Sequence, residues 1–296
     1  MSVVKESNNL CLLSVIIPIS KMSGRLQNLN HTISNIALEN GIQIILVHDV
    51  QDENTGPELD QIVRSHKNRQ ITLVEKFIGS PGGARNLGLE YARGTWVNFV
   101  DSDDVYFPSN LVEILRSIES TNASAVISNY ETVDSVTKSV VLHEHQKNLT
   151  RVALRPGIWR WTFNAALIGD ARFSNLSMGE DQKFLYEFCK EKQKILFDNQ
   201  IVYRYSINQE LQLTNQKKPK QDLSQVLSEV LKIRKFTQTN YDEFTETILI
   251  KLFASSMIHS KLKEKVKIVF TFTPVLNPTK KVRLRLSKLK LKNWFW

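Results

Sequence analysis

Over the first 130 residues, short apolar runs alternate with longer stretches whose apolar residues recur every three or four positions. The runs are continuously apolar, as in strands that are buried on both faces of a parallel sheet, and the longer stretches have the spacing of amphipathic helices. The predicted strands are 12–19, 42–47, 71–75, 96–100 and 124–130, and the predicted helices are 24–39, 55–66, 84–92 and one that opens at Pro108. This β-α-β order predicts an α/β fold with a mostly parallel sheet covered by helices.

The second half of the chain is less regular. Residues 131–155 are polar and predict a hairpin or a surface excursion. Residues 182–192 have helical spacing, and 195–205 are predicted to form a last strand of the sheet. A polar segment rich in Gln and Asn at 206–220 predicts a linker, and 223–268 predict two helices. The pattern therefore favours one α/β domain followed by a smaller helical extension.

The composition is that of an ordinary globular protein, with 42% hydrophobic and 23% charged residues in a chain of 296. This length supports one domain of roughly 200–250 residues plus an appendage. No apolar run reaches the ~18 residues that a membrane-spanning helix needs, and the first residues lack the pattern of a signal peptide. Two cysteines, Cys11 and Cys189, cannot form a disulfide framework. We therefore expect a cytoplasmic protein.

Charge is distributed unevenly along the chain, whose net charge is +9. Residues 217–296 carry 18 basic and 6 acidic side chains, a balance of +12, and the remainder carries 21 and 24, a balance of −3. In 279–296, Lys and Arg interleave with Val and Leu before a final Trp-Phe-Trp. Anionic lipids attract such segments, and Trp favours the membrane interface. The segment therefore predicts an anionic membrane surface as a partner and a peripheral position on the inner face of the cell membrane.

Two alternatives exist for this basic segment. It could be an ordinary amphipathic strand or helix packed on the body of the protein. It could also bind RNA, but the chain contains no recognisable nucleic-acid recognition fold, so we expect no nucleic-acid partner.

The candidate chemistry lies between residues 79 and 104. A glycine-rich segment at 79–83, predicted to be flexible, leads into a helix that carries Arg85. The next predicted strand runs directly into an acidic cluster formed by Asp101, Asp103 and Asp104. Open α/β sheets bind ligands at the carboxyl ends of their strands, and carboxylates suit a hard divalent cation that leaves positions for phosphate oxygens. Because Arg85 can pair with a carboxylate or with phosphate, this region predicts binding of a metal–diphosphate.

In this order, the residues resemble the family-2 nucleotide-sugar glycosyltransferases of GT-A fold. The resemblance rests on Gly-Gly-Ala-Arg-Asn-Leu-Gly at 82–88 and on Asp101-Ser102-Asp103 after an apolar strand. The first two strands, Ser-Val-Ile-Ile-Pro ending at Pro18 and the one ending at His48-Asp49, fit the same family. The later residues resemble a set found in capsule- and lipopolysaccharide-type members: Trp159, Trp161, Arg172, Phe173, Gly179, Glu180 and Asp181. The resemblance covers about residues 12–205.

The resemblance implies roles on the donor side of a sugar-transfer site. Pro18, Asp49, Arg85 and Asp101 would bind the nucleotide, with Asp49 at the base and Asp101 toward the ribose or uracil. Asp103 would bind a divalent metal, Mn²⁺ or Mg²⁺. The donor would be a nucleotide-diphosphate sugar, most simply a UDP-sugar.

The resemblance also implies an acceptor side. Asp181 would act as the general base, with Glu180 as its neighbour or alternate, and Trp159 and Trp161 would line the acceptor site. The implied reaction inverts the anomeric centre and transfers the sugar to a hydroxyl of a glycan or lipid-linked acceptor in cell-surface polysaccharide synthesis. Because no Gln-x-x-Arg-Trp follows Asp181, we expect an enzyme that adds one sugar or a few, and not a processive synthase.

Structural explanations stand beside these roles. The Asp cluster could cap the helix that opens at Pro108, and Glu180-Asp181 could simply begin a helix, where acidic residues are favoured. Arg85 could lie on the surface, and the two tryptophans could belong to the core.

Two other functions are compatible with the pattern: a non-catalytic nucleotide-sugar-binding or scaffold protein of the same fold, and a sugar-phosphate nucleotidyltransferase. Val50-Gln51-Asp52 replace the small residues that usually follow the base-contacting acid, and no third metal ligand is evident.

The predicted division of the chain follows from these assignments. Residues 1–205 form the catalytic domain, with the nucleotide-binding part at 12–130 and the acceptor side at 131–205. A linker at 206–220 leads to a helical extension with the basic amphipathic tail at 221–296.

Overall fold

The computed structural model of the chain describes residues 11–22, 26–36, 39–51, 54–67, 70–208, 222–236, 242–260, 265 and 268. Within these residues the backbone forms one sheet of nine strands: β1 Leu13–Ile19, β2 Ile42–Asp49, β3 Ile71–Lys76, β4 Trp96–Phe99, β5 Val105–Tyr106, β6 Ala125–Asp134, β7 Val140–His143, β8 Trp161–Asn164 and β9 Ile195–Ile207. The α-helices are α1 Leu26–Ile36, α2 Gly56–Ser65, α3 Pro81–Tyr91, α4 Pro108–Ser117, α5 Leu149–Leu154, α6 Glu180–Phe188, α7 Leu223–Phe236 and α8 Glu243–His259. Short 3₁₀ turns occupy Ile158–Arg160 and Ala165–Leu167.

The sheet has the strand order β3-β2-β1-β4-β8-β6-β9-β5, and β7 pairs with β6 as a hairpin. The first four strands of this order are parallel. Strand β8 is antiparallel to both β4 and β6, whereas β9 is parallel to β6. The predicted α/β class is therefore confirmed, and the reversal at β8 is the point where the regular parallel half of the sheet ends.

The sheet is buried on both faces, as the continuous apolar runs predict. In β1, Ile16 belongs to one apolar cluster, and Val15 and Ile17 belong to a second cluster on the other face. Residues of β2 divide in the same way, with Ile45 and Val47 opposite Ile44 and Leu46. Successive side chains of a strand point to opposite faces, so a strand covered on both sides must be apolar at every position.

The helices α7 and α8 complete the first of these clusters. Apolar residues of both helices pack in the same buried core as Val97 and Phe99 of β4 and Phe163 of β8. In the described part of 223–268 the chain forms α7 and α8; α8 contacts α5 and α6, and α7 contacts α6. The described part of the extension shares its core with the α/β sheet.

Two predicted segments lie largely or wholly beyond the described residues. Strand β9 continues through Ile207, two residues into the predicted linker, and residues 209–221 lie outside the described part. The tail at 279–296 also lies outside it. Among the helices that the structure describes, none combines the length and the apolar character required to cross a bilayer.

Candidate active site

Four segments of the chain meet at the carboxyl end of β4, and Arg85 of α3 joins them. Its side chain is buried, with 5% exposed. Nη2 donates to Oδ1 of Asp101 at 2.8 Å, and Nη1 donates to Oε1 of Glu180 at 2.9 Å and to Oδ1 of Asp181 at 3.3 Å. The second oxygen of Asp181 accepts the backbone N–H of Ile158 at 3.1 Å. One planar cation thus connects the end of β4, the start of α6 and, through Asp181, the turn before β8.

Arg85 is predicted to bind the nucleotide, and that role stays a prediction; what the structure shows is Arg85 bound to carboxylates. Both of its terminal nitrogens already donate to carboxylates. The guanidinium carbon of Arg85 lies over the ring of Phe173, 5.4 Å from the ring centroid. Burial also excludes the alternative of a surface arginine. In this arrangement Arg85 positions the carboxylates that face the site.

The electrostatics of this carboxylate cluster, formed by Asp101, Glu180 and Asp181, are dominated by burial. Burial lowers the pKa of Arg85, but the attraction of the three carboxylates outweighs it, so the pKa is raised and the guanidinium stays charged. Burial raises the pKa of Asp181 to about 8, Arg85 opposes this shift, and the charges of Glu180 and Asp101 add to it. Burial likewise raises the pKa of Glu180. Because three carboxylates share one cation, the cluster favours retention of a proton near neutral pH.

A close approach between α3 and the segment before α6 brings these groups together. A Cβ on Gly82 would stand 2.0 Å from the carbonyl oxygen of Ser174 and 3.2 Å from Cβ of Glu180, so only glycine fits there. The prediction that 79–83 is a flexible segment is wrong. Ser80 caps α3 by accepting the N–H of Gly83 at 3.1 Å, and Pro81 begins the helix. The glycines therefore serve close packing inside the first helical turn.

Glu180 and Asp181 occupy the first turn of α6, as predicted, and the residue before them supports that position. Gly179 has φ of +87°, a left-handed conformation that glycine adopts without strain. The helix N-terminus offers free N–H groups and a positive dipole end, which favour ionised carboxylates there.

The acidic cluster after β4 divides into members with different environments. Asp104 is buried, and it accepts the hydroxyl of Tyr203 and the N–H of Ser206, each at 2.8 Å. Burial raises the pKa of Asp104 well above its ordinary value, and the charges of Asp103 and Asp101 add to this shift. Helix α4 begins after Phe107 without a side-chain cap, so the acidic cluster does not act as its cap.

Asp103, like Asp101, is half-buried, whereas Asp104 is buried. Within the described residues, no group of three or more His, Cys, Asp or Glu side chains could hold a metal ion on its own. A single carboxylate such as that of Asp103 fits a cation that takes most of its ligands from diphosphate and water, since Mg²⁺ is commonly held by one or two carboxylates plus substrate phosphates. Asp103 is the residue that would hold it.

The predicted base-contacting residue, Asp49, is placed at the carboxyl end of β2. Its two oxygens accept the N–H groups of Gly79 at 2.8 Å, Ile78 at 3.1 Å and Gln51 at 3.3 Å. Asp49 thereby fixes the loop that leads into α3. Pro18 lies next to it, near the end of β1 and paired in register with Val47, and it is partly exposed.

The two predicted acceptor-side tryptophans differ in environment. Trp161 has no exposed surface, and it packs against Phe163 and Phe244 with ring centroids 5.8 and 5.5 Å away. The prediction that Trp161 lines an acceptor site is therefore wrong, because its ring belongs to the core. Trp159 stacks on Tyr203 at 4.8 Å and retains 8% of its surface.

Sequence reasoning missed the role of Tyr203. Its hydroxyl donates to Asp104 and accepts the N–H of Asp101 at 3.0 Å, so it fixes the backbone at the start of the acidic cluster. Burial raises the pKa of Tyr203, which keeps it a neutral phenol. The signal available was its position in the last strand of the sheet, in the aromatic pair Tyr203 and Tyr205.

Comparisons with known proteins agree with this geometry. Residues 14–188 match the model of the family described as Glycosyl transferase family 2. Glycosyltransferase GlyG of Streptococcus pneumoniae serotype 4 is 25% identical over 213 residues, which are 66% of this chain and 70% of GlyG.

Two solved structures share the fold. S. aureus TarS 1–349 in complex with UDP-GlcNAc has a TM-score of 0.70 at 17% identity and covers 89% of this chain and 80% of its own. The mannosyltransferase PcManGT of Pyrobaculum calidifontis, in complex with GDP-Man and Mn²⁺, has a TM-score of 0.59 at 12% identity and covers 93% and 78%. With more than half of its length matched by the family model, and with the corresponding fold, this chain belongs to glycosyl transferase family 2.

Proposed function

We propose that this glycosyltransferase transfers a sugar from a UDP-linked donor to a hydroxyl of a glycan or lipid-linked acceptor, with inversion and with the help of a divalent metal. The observation that carries the proposal is the contact of Arg85 with all three members of the carboxylate cluster. Arg85 joins Asp101, at the end of the strand where such folds bind ligands, to Glu180 and Asp181 at the start of α6. Donor and acceptor chemistry would therefore meet at one buried cation.

Asp181 is the candidate general base. One of its oxygens accepts from Arg85 and the other from the N–H of Ile158, so both the position and the orientation of the carboxylate are restricted. Its pKa, raised to about 8 chiefly by burial, suits a group that must accept a proton near neutral pH. Removal of the acceptor's proton as the sugar is attacked from the face opposite the leaving diphosphate would invert the anomeric centre.

Asp103 is the candidate metal ligand. A divalent metal supplies charge neutralisation for the leaving diphosphate when it is bound. Asp103 is half-buried beside Asp101, and both follow the same strand. The neighbouring structure PcManGT contains GDP-Man and Mn²⁺, and the TarS structure contains UDP-GlcNAc; these ligands support a metal and a nucleotide sugar here.

The acceptor side begins at Trp159. Its ring stacks on Tyr203, and the Tyr203 hydroxyl binds the backbone of Asp101. Tyr203 therefore connects Trp159 to the donor side of the site. Aromatic rings offer apolar faces for sugar rings. The resemblance to capsule- and lipopolysaccharide-type sequences supports a cell-surface glycan as the acceptor class.

Donor hydrolysis or transfer tests the reaction class. A panel of UDP-, GDP- and CDP-sugars is incubated with Mn²⁺ or Mg²⁺, and the unmodified protein is compared with Asp103→Asn and with the matched exposed control Asp170→Asn. We expect metal-dependent turnover of one donor that is lost only in Asp103→Asn. Failure to bind any nucleotide with either metal would contradict the proposal.

The basic tail at 279–296 is proposed to hold the enzyme on the inner face of the cell membrane, through electrostatic attraction to anionic lipid. Deleting 279–296 should release the protein from anionic vesicles in a flotation assay while donor hydrolysis is retained. Unchanged vesicle binding after the deletion would sink this part of the proposal.

A further inference from the structure

A group of basic side chains outside the proposed transfer site forms no ion pair with any carboxylate in the part of the chain that the structure describes. We call it the basic cluster, and it consists of Arg155 after α5, Arg160 at the end of the turn before β8, Lys251 of α8 and His143 at the end of β7. These residues come from four separate elements. The proposed transfer mechanism uses none of them.

Arg160 is the buried member of the basic cluster, with 3% of its surface exposed. Its guanidinium lies over the ring of Tyr130 at 4.9 Å, and Nε donates to the carbonyl of Ser128 at 3.3 Å. Its Nη2 is buried without a hydrogen-bond partner. Arginine is rarely buried without a carboxylate, yet no carboxylate of the described residues forms an ion pair with Arg160 or Arg155.

The other members of the basic cluster add to this unbalanced charge. Nη1 of Arg155 lies 2.6 Å from Nδ1 of His143. Because a guanidinium only donates, Nδ1 must accept, so His143 is neutral and its Nε2–H donates to Thr132. Burial lowers the pKa of His143, as do the charges of Arg155 and Arg160. The carboxylate of Glu131, next along β6 from Tyr130, is already bound to Arg204 at 2.7 Å.

Lys251 approaches Arg155 from α8. Its Nζ donates to the carbonyl of Leu154 at 2.5 Å. Burial lowers the pKa of Lys251 to about 8, and the charge of Arg155 adds to the shift. Neighbouring like charges destabilise one another unless an anion is present, and no described carboxylate forms an ion pair with Lys251 or Arg155.

A row of aromatic rings connects the basic cluster to the transfer site. Tyr203 binds Asp101, Trp159 stacks on Tyr203, and Tyr130 meets Trp159 edge-on at 4.4 Å. Tyr130 then contacts His143, stacked at 4.6 Å, and Arg160. Tyr203, Trp159 and Tyr130 are buried, so the row is a packed connection between the two places and does not itself offer a surface for a ligand.

We propose that the basic cluster is a phosphate-binding subsite, which takes a phosphate or phosphodiester group at a place outside the transfer site. This inference goes beyond the proposed function, because it uses none of the residues of the transfer site. Arginine recognises phosphate through its paired donors, and an anion held by the exposed Arg155 would balance the charge of Arg160 and Lys251 behind it. The phosphate could belong to a soluble glycan or to a lipid headgroup.

The test measures binding of sn-glycerol 3-phosphate, with glycerol as the neutral counterpart, to the full-length protein. Arg160 is buried, so its substitution would confound binding with folding; the exposed Arg155→Gln is used instead. The matched control is Arg151→Gln, an exposed arginine of α5 that pairs with Gln146. Binding is followed by calorimetry and by the ring proton signals of His143, and the melting temperatures of both variants are compared with that of the unmodified protein.

We expect saturable binding of glycerol 3-phosphate that shifts the His143 signals, is weakened about tenfold or more by Arg155→Gln and is little changed by Arg151→Gln. Absence of saturable binding, or equal binding by Arg155→Gln, overturns the proposal. Vesicles of phosphatidylglycerol and of phosphatidylcholine distinguish the sources. A loss of phosphatidylglycerol binding in Arg155→Gln assigns the phosphate to a lipid headgroup, and a loss limited to glycerol 3-phosphate assigns it to a soluble ligand.

Binding of UDP with Mn²⁺ to the unmodified protein is measured in parallel. Phosphate binding without UDP binding would contradict the proposed donor chemistry and leave the subsite standing. UDP binding without saturable glycerol 3-phosphate binding would overturn the subsite and leave the donor chemistry standing.

Discussion

Arg85 binds three carboxylates that belong to two separate segments of the chain, and this sharing determines how protons are held in the site. Asp101 is 16 residues away in sequence, and Glu180 is 95 residues away. A single buried cation cannot neutralise all three. Burial and the charges of neighbouring carboxylates therefore raise the pKa of Glu180, and they raise the pKa of Asp181 to about 8.

Replacing Asp181 with Asn should lower kcat by about 10²–10⁴-fold, the usual contribution of a general base, while the Kd for UDP changes little. Activity of the unmodified enzyme should rise as pH increases through about 8, because Asp181 must lose its proton to act. The pH–rate profile and calorimetric UDP binding check both points. Asp170→Asn is the control, and a full-rate Asp181→Asn enzyme would refute this role.

Asp181→Asn should raise the stability of the protein at alkaline pH, although it lowers kcat. The pKa of Asp181 is higher in the folded protein than its ordinary value of 3.8, so the folded state binds its proton more tightly, and stability falls as pH rises between about 4 and 8. Asp181→Asn removes this loss. We expect its melting temperature to exceed that of the unmodified protein at about pH 9 and to match it at about pH 4; the reverse order would show that pairing with Arg85 outweighs burial.

At the scale of elements, the site depends on how closely α3 and the segment before α6 approach one another. Gly82 lies in the first turn of α3, where a side chain would meet the backbone of Ser174. Gly179 permits the left-handed turn from which α6 begins. The glycines thus set the distance between Arg85 and the carboxylates of α6.

Gly82→Ala should separate these two elements. The added Cβ would lie 2.0 Å from a backbone oxygen that cannot rotate away, so we expect a loss of stability of about 1–3 kcal/mol, typical of overpacking, and a fall in kcat that exceeds the loss of folded protein. Urea denaturation and turnover measure the two effects. Gly56→Ala is the matched control, since its Cβ would meet only ordinary contacts at 3.7 and 3.9 Å; equal behaviour of the two variants would rule out this packing role.

At the scale of the whole molecule, α7 and α8 are part of the core that supports the site. Phe244 of α8 is buried against Trp161 of β8 at 5.5 Å. Strand β8 in turn pairs with β4, whose end carries Asp101. Helix α8 therefore packs on the strand that pairs with β4, and Asp101 follows β4.

Phe244→Ala should cost about 3–5 kcal/mol in the free energy of unfolding, because it removes a large buried ring and leaves a cavity. The loss should appear as one cooperative transition, followed by fluorescence and circular dichroism in urea. Ile258→Ala, on the same helix but 44% exposed, should cost far less. A separate early transition in Phe244→Ala would show instead that α8 unfolds independently of the sheet.

The strands and helices of the first half, and the membership of the site, could be predicted from sequence. Continuous apolar runs admit one arrangement, a sheet covered on both faces, and β1 to β4 adopt it. The sequence segments that resemble the family contain Arg85, Asp101 and Asp181, and the fold brings these three residues together. Local pattern and spacing sufficed for the strands and helices, because these depend on neighbours in the chain, whereas Glu180 and Asp181 were named only by the resemblance to family-2 glycosyltransferases.

Only the tertiary structure decided what each of these residues does within the site. Arg85 could have faced solvent, phosphate or carboxylate, and its partners come from segments that meet only after folding. Trp159 and Trp161 are two positions apart, yet they pack in different apolar clusters, Trp159 on Tyr203 and Trp161 on Phe244 of α8. The uncompensated charge of Arg160 was equally invisible in the sequence, since burial and the absence of a carboxylate partner among the described residues are properties of the packed molecule.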